Sequence, residues 1–119
     1  MSYEQSTAQP LTPENERLYS TLIHVGGIVI GVISPIIGYL LLKDRGVFVR
    51  DNARNALNFQ ITITIAAVVA YILTAISFGI LFFLPLAVAV VNVVFSIIAA
   101  VAANRGEVYR YPLTIAFVK

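Results

Sequence analysis

The charged residues of the chain leave two long intervals empty. Residues 18–42 carry no Lys, Arg, Asp or Glu, and neither do residues 55–104. A helix needs about 20 predominantly apolar residues to cross a ~30 Å hydrocarbon core, so the first interval accommodates one span and the second two. The second interval divides at Ser77–Gly79, where a small polar residue and a helix-breaking glycine interrupt two runs of Val, Ile, Leu and Ala. The pattern predicts an all-α, integral membrane three-helix bundle. A polar tail covers 1–16, the three-span domain 17–104, and an interfacial tail 105–119. The spans fall at about 17–42, 50–76 and 80–104, with an interfacial lead-in before the second. Thr12-Pro13-Glu14 supplies a hydroxyl cap, a first-turn proline and an acid for the positive end of a helix.

Helical spacing sorts each span into faces. Ser20, His24, Gly27, Gly31, Pro35 and Gly38 form one small and polar stripe along the first span. Pro85, Ala89, Asn92, Ser96, Ala99 and Ala103 form another along the third, and Asp51, Asn55, Asn58 and Thr62 open the second. Small residues let helix backbones approach closely in lipid, and Gly27–Gly31 is a small-xxx-small pair. The stripes read as packing seams within one chain, or as a seam for a second copy or another membrane protein. Pro35 and Pro85 are candidate kinks.

Composition sharpens the class. Apolar residues make up 59% of the chain and charged residues 12%, a balance unsuited to a soluble domain of 119 residues. The first apolar run is too long for a cleaved signal core and is expected to remain in the protein. There is no cysteine and one histidine, so no thiolate site, metal-ligand set or catalytic constellation is recognisable. No enzyme activity, cofactor or nucleic-acid partner is expected. Charge distribution sets the orientation. With three spans, Lys43, Arg45, Arg50, Arg54, Arg105, Arg110 and Lys119 share one side, against Arg17 on the other. The rule that basic loops stay inside then puts the C-terminus in the cytoplasm and the N-terminus outside the plasma membrane.

The candidate site residues are the polar and small groups that such a bundle must accommodate. His24, Gly27, Gly31, Asn55, Asn58, Gln60 and Asn92 are assigned to helix packing or partner contact, because intramembrane amides exchange hydrogen bonds across interfaces. A polar vestibule or docking surface at Asp51–Asn58 is the alternative. His24 is expected to make a structural hydrogen bond rather than transfer protons. The three-span arrangement sets it about 20 Å from Asn58 along the membrane normal, too far for one site. Arg50, Arg54, Arg105, Tyr109, Arg110 and Tyr111 are assigned to lipid headgroups, with a partner contact for "RGEVYRYP" as the alternative.

His24 in a glycine-rich span, Pro35, "KDRGVFVRDNARNALNFQITITI" at 43–65 and "AANRGEVYRYP" at 102–112 together resemble the Tic20-like family of small bacterial and archaeal membrane proteins. The resemblance covers about residues 16–118 and carries over His24, Ala56, Leu57, Asn58, Phe59, Gln60, Gly106, Tyr111 and Pro112. Asn52 and Asn55 stand where that pattern has a histidine and an acidic residue or glutamine. The resemblance implies a membrane fold and a link to protein translocation. The leading expectation is a non-enzymatic accessory or assembly subunit in the lipid bilayer, binding another integral membrane protein or itself. An oligomeric translocation or permeation component is the alternative.

Overall fold

A computed structural model describes residues 9–112 and 114–119. The first eight positions of the expected polar tail, with Glu4, lie outside the described residues. Helices occupy α1 (Pro13–Val29), α2 (Ile33–Leu42), α3 (Val47–Ile76) and α4 (Phe83–Asn104). Thr12 caps α1 by accepting a hydrogen bond from the Asn15 amide at 3.1 Å, with Pro13 in the first turn and Glu14 and Glu16 at the positive end.

The stretch expected to be one span over 17–42 is two helices. α1 stops at Val29, Gly31 takes a left-handed backbone with φ +63°, and α2 begins at Ile33. Pro35 is the third residue of α2, where its missing N–H falls among the first-turn donors that lack intrahelical partners. Pro85 stands at the third position of α4 in the same way. Both prolines therefore start helices and kink neither.

The reversal folds α2 back along α1. Ser34 Oγ donates to the Ile23 carbonyl at 2.8 Å, and the Leu11 amide donates to the Arg45 carbonyl at 2.8 Å. α1 and α2 are thus antiparallel. α1 and α3 run in the same direction, since Glu16 Oε1 accepts from the Val49 amide at 3.0 Å and His24 meets Asn52 one helical stretch further on. α4 returns antiparallel to both: Gln60 meets Asn92, and Thr21 meets Ala100. α1 touches the other three helices, while α2 packs on α1 and α3.

The order of these contacts brings residues 9–17, the link 43–46 and the segment after Asn104 to one end. Arg45 Nε donates to the Gln9 carbonyl at 2.8 Å, and Arg17 lies against Gly106. The turn Ser77–Phe82 occupies the opposite end. It is apolar and outward-facing, with Phe78 96% exposed at φ 55° and Ile80 and Phe82 also exposed.

α3 and α4, with 30 and 22 residues, are long and apolar enough to cross a membrane. α2, with 10 residues, rises about 15 Å and reaches only half of a hydrocarbon core. The outward faces of all four helices carry exposed Ile, Val, Leu and Phe, such as Val29, Leu41, Ile72 and Leu86. The interior is correspondingly thin: Val49, Ala53 and Ala56 pack on Ile23, and Phe59 and Ala99 pack on Tyr111. An alanine-lined α4 surface, through Ala99, Ala102 and Ala103, lets α1 and α3 approach closely.

Gly31 differs from its expected packing role, since a Cβ there meets nothing within 4 Å. Its contribution is the left-handed turn. Asparagine tolerates that conformation and a β-branched residue does not. Thermal unfolding in mild detergent should therefore leave Gly31→Asn close to the parent and destabilise Gly31→Val by about 1–2 kcal/mol. Equal melting of the two variants would remove the turn from its assigned role.

Candidate functional site

Two polar layers join the helices at the charged half of the bundle. In the first, Gln60 Nε2 donates to Asn92 Oδ1 at 2.7 Å, Ser96 Oγ donates to the same oxygen at 3.1 Å, and Asn92 Nδ2 donates to the Gly27 carbonyl at 3.3 Å. α3, α4 and α1 meet at one point. Gly27 belongs there because a Cβ would fall 2.6 Å from Gln60 Nε2. The Gly27, Gln60 and Asn92 side of the small-xxx-small stripe is therefore a seam within the chain.

His24 organises the second layer. It is 1% exposed, and its two ring nitrogens face Tyr111 and Asn52. Asn52 Nδ2 donates to the Phe48 carbonyl at 2.9 Å, so its Oδ1 is left to accept from His24 Nε2 at 2.9 Å. His24 Nδ1 then accepts from the Tyr111 hydroxyl. Burial pushes the Tyr111 pKa above the ordinary tyrosine value, with Ser96 opposing and Tyr109 adding to the rise, which keeps the hydroxyl a donor. The Tyr111 ring stacks on Phe59 with centroids 4.1 Å apart.

The segment after α4 is fastened along α3. Asn55 Nδ2 donates to the Tyr109 carbonyl at 3.2 Å, and Thr62 Oγ1 accepts from the Ile115 amide at 3.1 Å. Asn58 binds both backbone groups of Val118, donating to its carbonyl at 2.9 Å and accepting from its amide at 2.7 Å. The chain thus runs out from Asn55 to Thr62 and returns to Asn58, covering one face of α3. An amide side chain that satisfies two backbone groups of an irregular segment replaces the hydrogen bonds that a regular element would supply.

Several sequence assignments change. His24 and Asn58 do not lie at opposite depths: Asn52, the partner of His24, precedes Asn58 by six residues, about 9 Å along α3. The reversal at Gly31 is the reason, because it makes α1 parallel to α3. Tyr111 is 8% exposed and belongs to the core rather than the headgroup belt, with Tyr109 half-buried beside it at 5.4 Å between ring centroids. Arg54 and Arg50 pair with Asp51 at 2.9 and 3.6 Å, and the exposed Arg105 pairs with Glu107 at 3.5 Å. Arg110 is exposed. Asn52, fully buried, is a site residue that the sequence pattern does not single out, although it shares the helical row of Val49, Ala53, Ala56 and Gln60. Among the described residues, no three His, Cys, Asp or Glu side chains cluster as a metal site.

Two membrane-length helices, outward apolar faces and a polar interior that joins helices define a small helical membrane protein. The chain belongs to the magnetosome magnetite crystal formation protein family, MamF/MmsF, whose profile matches residues 15–118. That match overturns the Tic20-like assignment and with it the implied link to protein translocation. Neither a curated protein nor a solved structure matches the chain.

The two layers and the fastened segment make separable demands. Tyr111→Phe strands His24 Nδ1 in a buried site and should destabilise the protein by about 1–3 kcal/mol. Asn58→Leu removes both bonds to Val118, at about 0.6–2 kcal/mol for interhelical-type polar contacts in a membrane. Limited proteolysis should cleave the segment 114–119 faster in Asn58→Leu than in the parent, with the helices intact. Unchanged cleavage would mean that Asn58 does not hold the segment.

Proposed function

We propose that the chain is a non-enzymatic accessory subunit of the magnetosome membrane that supports magnetite crystal formation by organising other membrane proteins. Its membership in the crystal-formation family motivates the process. The observation that carries the non-enzymatic reading is the use of the buried polar side chains. Gln60, Asn92, His24, Asn52 and Asn58 all bond to neighbouring segments of the same chain. The apolar exterior remains for lipid and for other membrane proteins.

The topology we propose replaces the expected N-outside, C-inside arrangement in the plasma membrane. α3 and α4 cross the membrane, and α1–α2 enters and leaves it as a re-entrant hairpin. All eight Lys/Arg residues, Arg17 included, then belong to the end shared by residues 9–17, 43–54 and 105–119. Eight against none supports a cytoplasmic position for that end better than seven against one does. The lumen side receives the turn Ser77–Phe82, which has no carboxylate. The subunit acts on crystal formation through the membrane and its cytoplasmic end, without gripping mineral through acidic groups of its own.

Single cysteines at Gln9 and Lys119 should both react with a membrane-impermeant reagent in intact isolated magnetosomes, while one at Phe78 should require permeabilisation. Labelling of Gln9 and Lys119 from opposite faces would refute the hairpin. In a deletion strain, re-expression of the chain should restore magnetite crystal size measured by electron microscopy. Identical crystals with and without the chain would refute the functional reading. Capture of neighbouring membrane proteins should follow from crosslinkers placed on the outward faces of α3 and α4.

A further inference from the structure

Two cavities flank the segment that returns along α3. The first, of about 160 Å³, is lined by Asn55, Asn58, Arg110, Tyr111, Thr114 and Ala116. The second, of about 380 Å³, lies between α3 and α4, with Phe59, Ile63, Ala66, Val88, Phe95 and Pro112 on its walls. Both follow one face of α3 through successive turns, Asn55 and Asn58 and then Phe59, Thr62, Ile63 and Ala66. The returning segment contributes to both, with Arg110 and Tyr111 on the polar side and Pro112 on the apolar side. The two cavities thus follow one another along α3, the first cationic toward the charged end and the second apolar toward the middle of the membrane.

We infer that these two neighbouring cavities together bind one anionic phospholipid, with its phosphate on Arg110 and an acyl chain between α3 and α4. The inference rests on the membrane topology proposed above, which sets the charged end at headgroup level. Charge selects the headgroup. Among the described residues, the polar cavity is lined by a guanidinium and no side-chain carboxylate, and Arg50, Arg54 and Arg105 have their acidic partners elsewhere. A guanidinium presents two parallel donors to phosphate oxygens. Asn55 gives one amide hydrogen to the Tyr109 carbonyl and retains a second for the same ligand.

Shape selects the chain. Ala66 lies seven residues beyond Phe59, about 10 Å along the helix, which accommodates the first part of an acyl chain beyond its glycerol ester. Apart from the Thr62 hydroxyl, which donates to the Asn58 carbonyl, the described lining side chains offer only carbon. A free inorganic phosphate satisfies Arg110 alone and leaves the groove unused.

Native mass spectrometry of the full chain in mild detergent, with phosphatidylglycerol and phosphatidylcholine added in equal amounts, tests the assignment. The parent should retain one phosphatidylglycerol in preference to phosphatidylcholine. Arg110→Gln should weaken that retention about tenfold, as expected for loss of a hydrogen bond to a charged group. Ala66→Phe, which fills the groove, should weaken it as well, and Arg110→Lys should restore part of it. Arg105→Gln should leave it unchanged. Circular dichroism melting of each variant keeps a folding defect from passing as a lost site. Equal retention of both lipids, or equal loss in Arg105→Gln and Arg110→Gln, would reduce the site to unspecific charge attraction and overturn it. Displacement of phosphatidylglycerol by inorganic phosphate, with Ala66→Phe unaffected, would assign Arg110 to free phosphate and overturn the lipid site. A protein extracted from membranes by alkali refutes the membrane reading. A protein that stays in the membrane while Arg110→Gln keeps phosphatidylglycerol refutes the lipid site alone.

Discussion

The backbone reversal at Gly31 decides what every other group in the chain can reach. One residue with φ +63° turns a 25-residue uncharged run into an antiparallel hairpin. α1 then lies parallel to α3, so Glu16 meets the start of α3 at Val49, His24 meets Asn52 and Gly27 meets Gln60 in order along the pair. A continuous span would have run α1 against α3 and separated each of these partners. The parity of the chain changes as well, and with it the end at which each charge resides. A left-handed glycine costs little, and the contacts it permits are buried polar bonds whose partners have no water to replace them.

Those bonds compensate for a core made largely of alanine and glycine. Lipid tails are as apolar as leucine, so burying a leucine between helices gains little over leaving it in the bilayer. Close backbone approach and interhelical hydrogen bonds remain as the cohesive forces. The chain uses both: Gly27, Ala99 and Ala103 bring α1, α3 and α4 together, and the Gln60–Asn92–Gly27 and Tyr111–His24–Asn52 layers lock their register. The segment after α4 completes the packing on the side of α3 that α2 does not cover. Tyr111 is its anchor, joining the aromatic stack on Phe59 to the histidine layer.

Much of the long second interval was legible because its signals agree. Two runs of membrane length, separated by Ser77–Gly79, became α3 and α4, and Gln60 and Asn92, amides within those runs assigned to helix packing or partner contact, meet each other. The first interval misled because its length of 25 residues suits a single crossing, and a glycine followed four residues later by proline reads equally as a tolerated pair within a span. Position resolves the ambiguity only in three dimensions, where Pro35 proves to be in a first turn. Tyr111 was misplaced for a different reason. Tyrosine next to arginine is the usual signature of a membrane interface, and burial of the ring depends on Phe59 and His24, residues 52 and 87 positions away. Asn52 was masked by the richer polarity of its neighbours Asp51, Asn55 and Asn58.

Charge segregation bears most directly on crystal formation. A metal oxide surface in water presents charged and hydrogen-bonding oxygens, so a protein that grips it needs carboxylates or free polar groups at the contact. In the turn Ser77–Phe82 the one polar side chain is Ser77, and it is already engaged: its hydroxyl donates to the Thr74 carbonyl at 3.1 Å and accepts from the Leu81 amide at 3.0 Å. Thr74 in turn donates to the Leu81 carbonyl at 3.1 Å, closing the turn on itself. What remains outward is Phe78, Ile80 and Phe82, surface that favours lipid or an apolar protein face over an oxide. Of the six acidic residues, the five described ones, Glu14, Glu16, Asp44, Asp51 and Glu107, belong to the opposite end, among the arginines and lysines. With that end in the cytoplasm, as proposed above, these carboxylates are separated by the bilayer from a crystal inside the vesicle, and the turn on the crystal side offers it no charged group.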